Sequence, residues 1–195
     1  NKQLADGGFA LSGTKADADM TGMAIQALST YTNQTKVNEA ITKALAALAN
    51  LQKKEGAFES WGLTNSESAV QVLTALTSQD IDPMKDTRFA TLMANILTFY
   101  NPADGGFKHI LTQIKADGMA TEQGYYALVS YFRMLNNDTS LYDMSDMTLE
   151  IGKYSDKVAS AYDEQVVSET EKLIKDIGKV EQKTYYKIEK ARKAY

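Results

Sequence analysis

Acidic residues stand at the head of three apolar helical runs in this chain: Asp19, Glu67 and Glu122, with Asp17 two positions before the first. A carboxylate at a helix N-terminus accepts hydrogen bonds from free backbone N–H groups and faces the positive end of the helix dipole, a gain of about 1 kcal/mol. One acid per run makes that architectural role the first reading of all three. The aromatic residues placed to line a cavity are Trp61, Tyr125, Tyr126 and Tyr131, whose ring faces can hold a positive charge. For Trp61 the simpler expectation is a packed core ring. The chain has no cysteine and one histidine, His109. That excludes thiolate chemistry and leaves no metal-ligand set, so neither metal nor cofactor is expected. No Ser-His-Asp arrangement can be built without His109, which beside Lys108 reads as a solvated loop residue. Gly7-Gly8 and Gly105-Gly106 lack the preceding strand that a dinucleotide loop requires.

The elements that must position these side chains follow from a repeat. Gly7-Gly8-Phe9, Gly56-Ala57-Phe58 and Gly105-Gly106-Phe107 recur at a step of 49 residues, each preceded by an amide at Gln3, Gln52 or Asn101. A period of this size marks a copied supersecondary unit. Met20, Met23, Ala24, Ala27, Leu28 and Tyr31 share one helical face, and Val37, Ile41, Leu45, Leu48 and Leu51 share the next. Thr64-Asn65-Ser66-Glu67 resembles a capping box ahead of Ala69, Val70, Val72, Leu73 and Leu76. Asp82-Pro83 predicts the start of a further helix with Phe89, Leu92, Met93, Ile96, Leu97 and Tyr100 on its buried face. The last clear run, Thr121 to Leu135, turns Tyr125, Leu128, Val129 and Phe132 inward. No alternation of period two is long enough to predict a strand. From Ser155 onward both charges are dense, and Val166, Leu173, Ile177 and Val180 form a narrow stripe, as in an amphipathic helix.

The Gln-x-x-x-Gly-x-aromatic pattern of Gln3–Phe9 and Gln52–Phe58 resembles the repeat of squalene and terpene cyclases and of protein prenyltransferase β-subunits. The likeness covers residues 1–140 and implies an α/α toroid, with inner helices around a central cavity and outer helices behind them. Phe stands where the cyclases usually carry Trp, and Asn101 replaces the third Gln. Class II terpene cyclases protonate their substrate with Asp-x-Asp-Asp, whose middle acid burial keeps protonated. On that resemblance Asp17 takes the first position and Asp19 that of the acid, while Met20 stands in place of the final Asp. Prenyltransferases hold zinc with Asp, Cys and His, a set this chain lacks. Asp17–Ala24 also looks like exported bacterial toroid-repeat proteins and, distantly, the helical domain of transcobalamin-type carriers. Leu173–Gly178 and Ala191–Tyr195 resemble helical spacer repeats of Gram-positive surface proteins.

The expectation is therefore an all-α fold: a partial α/α toroid of three helical-hairpin repeats over 1–154, plus a C-terminal helical extension over 155–195. Because the chain opens inside a repeat at Gln3, the toroid reads as N-terminally truncated, and the extension as cut at its far end. The expected role is a non-catalytic ligand- or partner-binding module of a secreted or cell-wall-attached bacterial protein. Its partner would be a bulky apolar small molecule or another surface domain, met around Asp19, Trp61, Glu67, Glu122 and Tyr125. The alternatives are a cyclase-like enzyme with Asp17 and Asp19 as catalytic residues, and a rigid spacer. The net charge of −4 gives no reason to expect nucleic acid, and no apolar run reaches the length of a bilayer span.

Overall fold

One helix is buried on every side, and the others are arranged about it. In the computed structural model, which describes residues 2–148 together with Ser168 and Lys172, the helices are α1 (Ala18–Leu28), α2 (Thr35–Leu51), α3 (Ser66–Thr77), α4 (Leu92–Thr98) and α5 (Gly118–Leu135). A 3-10 turn, Ser29–Tyr31, follows α1. Two antiparallel ladders join β1 (Glu59–Ser60) to β2 (Leu63–Thr64), and β3 (Tyr100–Asn101) to β4 (Gly106–Phe107). Every residue of α3 is buried. It lies between α1 and α5, with α4 also against it, while α2 packs on α1. The described residues are thus mainly helical. The chain divides into two units, Asn1–Met147 and Thr148–Tyr195, and the predicted spacer over 155–195, Ser168 and Lys172 apart, lies outside the described residues.

The core is filled by Ile25, Ile41, Leu48, Phe58, Leu73, Leu76, Phe89, Ile96 and Phe107. The glycine corners are bonded alike. Leu4 N–H donates to Gly8 O as Lys53 N–H does to Ala57 O, both at 2.9 Å. Phe9 N–H donates to Thr21 Oγ1 and Phe107 N–H to Thr121 Oγ1, again both at 2.9 Å. Asp6 Oδ2 receives Ala16 N–H as Asp104 Oδ2 receives Ala116 N–H. A methyl group on Gly8 would strike Ala16 and Thr21, and one on Gly106 would strike Thr121 and Ala116. In the middle copy Ala57 stands for the second glycine. There the helix position matching Thr21 and Thr121, counted from the N-cap, is Ala69. A smaller partner accompanies the larger corner residue.

Four expectations are corrected. The two ladders are strands that no period-two pattern announced, because two-residue strands are too short to show one. The helix expected from Asp82 begins only at Leu92. Asp82 Oδ1 accepts Met84 N–H and Asp86 Oδ1 accepts Arg88 N–H, so side chains take the amides as local turns instead. Its expected inward Leu97 and Tyr100 are exposed. On α5 the buried face is Ala120, Gly124, Ala127, Ser130 and Arg133, not Tyr125, Val129 and Phe132, which are exposed. Small residues let α5 lie close to α3. Counted from the N-cap, Tyr125 corresponds to Ile25 and Leu73, both fully buried.

Gly56 has φ +86° and its added Cβ would collide with the Thr91 carbonyl, whereas Gly13, at φ +88°, has open space around it. Gly13→Ala is expected to cost about 1 kcal/mol from backbone strain alone. Gly56→Ala should cost more than about 3 kcal/mol, since the backbone behind it must move. Urea unfolding of both variants checks the difference, and equal losses would contradict the close approach.

Candidate functional site

A groove runs across the N-terminal ends of α1 and α3. Two adjoining hollows of about 390 and 410 Å³ share Asp19, Met23, Ser60 and Trp61. A third, of about 490 Å³, continues from Met23 and Gln71 to Ala27, Thr30 and Tyr142. The helix caps set what points into it. Asp17 caps α1, accepting Met20 N–H on Oδ1 at 2.9 Å, and its Oδ2 accepts the Ser60 hydroxyl at 2.9 Å. Asn65 caps α3 through Ser68 N–H at 2.8 Å. Two residues past each cap come Asp19 and Glu67, so both acids sit in the first turn. The same step from Asp117, the cap of α5, reaches Met119.

Glu67 is 8% exposed, and its Oε2 lies 2.8 Å from His109 Nδ1 and 3.1 Å from the Ser66 hydroxyl. His109 is held there by its own carbonyl, which accepts Ser66 N–H at 3.0 Å. Glu67 Oε1, Asp19 Oδ1 and Ser68 Oγ are buried without a hydrogen-bond partner. Burial lifts the Asp19 carboxyl above the ordinary aspartate value, and the charges of Asp17 and Glu67 push the same way; the hydroxyls of Ser68 and Ser60 pull it partly back. Ser68 thus stands near enough to moderate the shift, yet makes no well-aligned bond. Beneath the acids lies an amide floor. Gln26 Nε2 donates to Gln71 Oε1 at 3.0 Å, and Gln71 Nε2 donates to Gln123 Oε1 and to the Tyr126 hydroxyl. Burial above all pushes the Tyr126 phenol up to about 12.

Trp61 forms the rim. It and Gly62 are the two central residues of the β1–β2 turn, with φ +52° and +78°, the signature of a type I′ hairpin. A bulky side chain in that conformation is strained. The ring is 85% exposed, which corrects the expectation of a packed core ring: the turn lifts it away from the core. At the other end Arg133 Nε donates to Thr139 O, and its Nη2 to Thr139 Oγ1 and Asp146. That clamp ties the segment bearing Tyr142 to α5. The Thr139 hydroxyl, with Arg133, holds the Asp146 carboxyl down at about 2.

The structure brings together Asp17, Asp19, Trp61 and Glu67. It leaves out two candidates. Glu122 is exposed in the second turn of α5, because that helix starts at Gly118 and displaces it from the place Asp19 and Glu67 share. Tyr125 braces a corner instead, donating to Gly105 O at 2.6 Å and meeting the Phe107 ring edge-on. Sequence reasoning missed His109, which is no solvated bystander, and Gln71. The face shared by Met20 and Met23 is not the buried one: α1 buries Ala18, Thr21, Gly22, Ile25 and Gln26. The methionine stripe lines the groove. Among the described residues no three Asp, Glu or His groups converge as a metal site, and no helix is long and apolar enough to cross a membrane.

Two outcomes follow. Because the native Asp19 carboxyl holds its proton more tightly than in the unfolded chain, its contribution favours folding below the ordinary aspartate range and is lost as pH rises through the raised value. Asp19→Asn should therefore match the parent near about pH 3 and exceed it in stability near about pH 7, with Asp17, Glu67, His109 and Lys15 unchanged around it. Thermal melts at both pH values read the sign, and a loss at neutral pH would contradict the buried, uncompensated carboxyl. Trp61→Asn should raise stability by about 1 kcal/mol, since Asn accepts positive φ and little ring burial is lost. Chemical denaturation measures it.

Comparison with protein-family models, with curated proteins and with solved structures gives no match to this chain.

Proposed function

We propose that this chain is a non-catalytic ligand-binding module of the α/α-toroid type, from a secreted or cell-wall-attached bacterial protein. The observation that carries the reading is the open groove over the first turns of α1 and α3, where buried oxygens of Asp19 and Glu67 have no partner. A surface built only for rigidity gains nothing from such oxygens, which cost free energy until a donor meets them. The row of α1, α3 and α5, with α2 on α1 and α4 on α3, supports the toroid reading, as do the alike bonds of the glycine corners. The absence of cysteine suits export. The methionines and Trp61 favour a small molecule with apolar bulk over a wholly polar one.

One observation favours the enzyme reading: the Asp19 proton is held more tightly than usual, as a general acid requires. Against it, a carbocation needs a cavity closed to water and walled by rings, and here the groove is open with Trp61 the ring at its acidic end.

Trp61 is the sole tryptophan, so its emission reports on the groove alone. A library of apolar small molecules is expected to contain members that shift that emission and raise Tm, and Met23→Glu, which places a charge where all three hollows meet, should remove both effects. Silence across the library would leave a spacer. Incubation with polyprenyl substrates is expected to yield no product; a product that Asp19→Asn abolishes would establish the cyclase-like enzyme instead.

A further inference from the structure

Charge and apolar surface are segregated along the groove. Asp17, Asp19 and Glu67 stand at one end; toward the other the lining passes through Met23 to Ala27 and Tyr142. From Asp19 to Ala27 the helix advances about 12 Å. Glu67 is the informative group. It is more than nine-tenths buried and lines the groove, His109 and Ser66 serve only Oε2, and Oε1 has no partner. Asp19 is only partly buried, but its Oδ1 is likewise enclosed and lacks a well-aligned partner.

The missing element is a donor, and its charge can be deduced. An anion would meet three carboxylates. A neutral hydroxyl offers one proton to two waiting oxygens. A metal ion such as calcium takes six to eight oxygens, and among the described residues no three acidic or histidine groups come together closely enough to hold a metal ion. Lys15 lines the neighbouring hollow, with Leu11 and Ser12, rather than the one around Glu67. A primary ammonium has three donors and a full charge. The exposed Trp61 ring beside Asp19 offers a face for the same charge.

We infer that the groove takes a small primary ammonium ion carried on an apolar body, its head at Asp19 and Glu67 and its body along Met23 toward Tyr142. The inference rests on the ligand-binding reading above and names the class of ligand. The methionines accept bodies of varied outline, while the carboxylates fix the head.

The probes are octylammonium, octanol, octanoate, tetramethylammonium and calcium, followed by Trp61 emission and calorimetry at neutral pH in low salt. Octylammonium is expected to bind at least about tenfold more tightly than octanol or tetramethylammonium. Octanoate and calcium are expected to bind more weakly still. The double variant Asp19→Asn/Glu67→Gln should lose about tenfold in octylammonium affinity, with a cooperative thermal transition as the check on folding; if it does not fold, Glu67→Gln alone is read the same way. Glu39→Gln, exposed on α2, should change nothing. Equal binding of octanol and octylammonium would overturn the ammonium head while leaving a ligand groove. Full octylammonium affinity in the acid variant, or tighter binding of calcium, would overturn it too. No response to any probe would remove the inference and the ligand-binding reading together.

Discussion

The complete burial of α3 is the constraint on which the rest of the structure depends. A helix enclosed on every side must find partners for each polar side chain it carries. Thr74 returns its hydroxyl to Val70 O, Thr77 meets Ser130, and Gln71 is tied to α1 and α5 through Gln26, Gln123 and Tyr126. The bonds of Thr77 and Gln71 join α3 to the helices on both sides, so register is fixed by amides and hydroxyls as well as by apolar contact. The accounting fails at one place only among the residues of α3: Glu67 Oε1 and Ser68 Oγ, in its first turn and near Asp19. Of the four buried side-chain atoms without a partner among the described residues, Glu67 Oε1, Ser68 Oγ and Asp19 Oδ1 belong to residues at or beside the groove, while the fourth, Asn95 Oδ1, is on α4.

The corners explain how that framework is repeated with variation. Where a threonine hydroxyl closes the corner, the residue facing it is glycine; where the helix offers alanine, the corner residue grows by one methyl. The hydroxyl both accepts a phenylalanine N–H and donates to the same residue's carbonyl, so the corner is locked by a side chain rather than by a longer ladder. The caps then decide which acid belongs to the groove. Two residues beyond Asp17 and Asn65 the side chain is carboxylate, and beyond Asp117 it is the thioether of Met119. The third face of the site is apolar for that reason.

Much of the fold was legible because its signals are local. The glycine step and the stripe of α2 as far as Leu48 are properties of neighbouring residues, whereas the caps proved to be Asp17, Asn65 and Asp117, two to five residues before the acids expected in that role and one past the Thr64 of the expected capping box. What was not legible depends on contacts between distant ones. His109 reaches Glu67 across 42 positions, with no sequence pattern to announce it. The methionine stripe of α1 has the right period for a helix, but periodicity does not say whether a face meets a neighbour or a cavity. Trp61 looked like a core ring because tryptophan usually is one; only the positive φ of two successive turn residues shows that the chain lifts it out. On α5 the large side chains suggested the inward face, while the buried face is made of small residues, Ala120, Gly124 and Ala127, the middle one pressed by the Phe107 ring.

The thioethers of Met20, Met23 and Met119 around the groove have a chemical consequence of their own. Oxidation would turn these flexible apolar groups into polar sulfoxides, and exposed Met23 and Met119 are open to it. None of the three belongs to the buried core, so the scaffold would survive such damage. Peroxide would then blunt recognition without melting the helices, and a sulfoxide reductase would restore it.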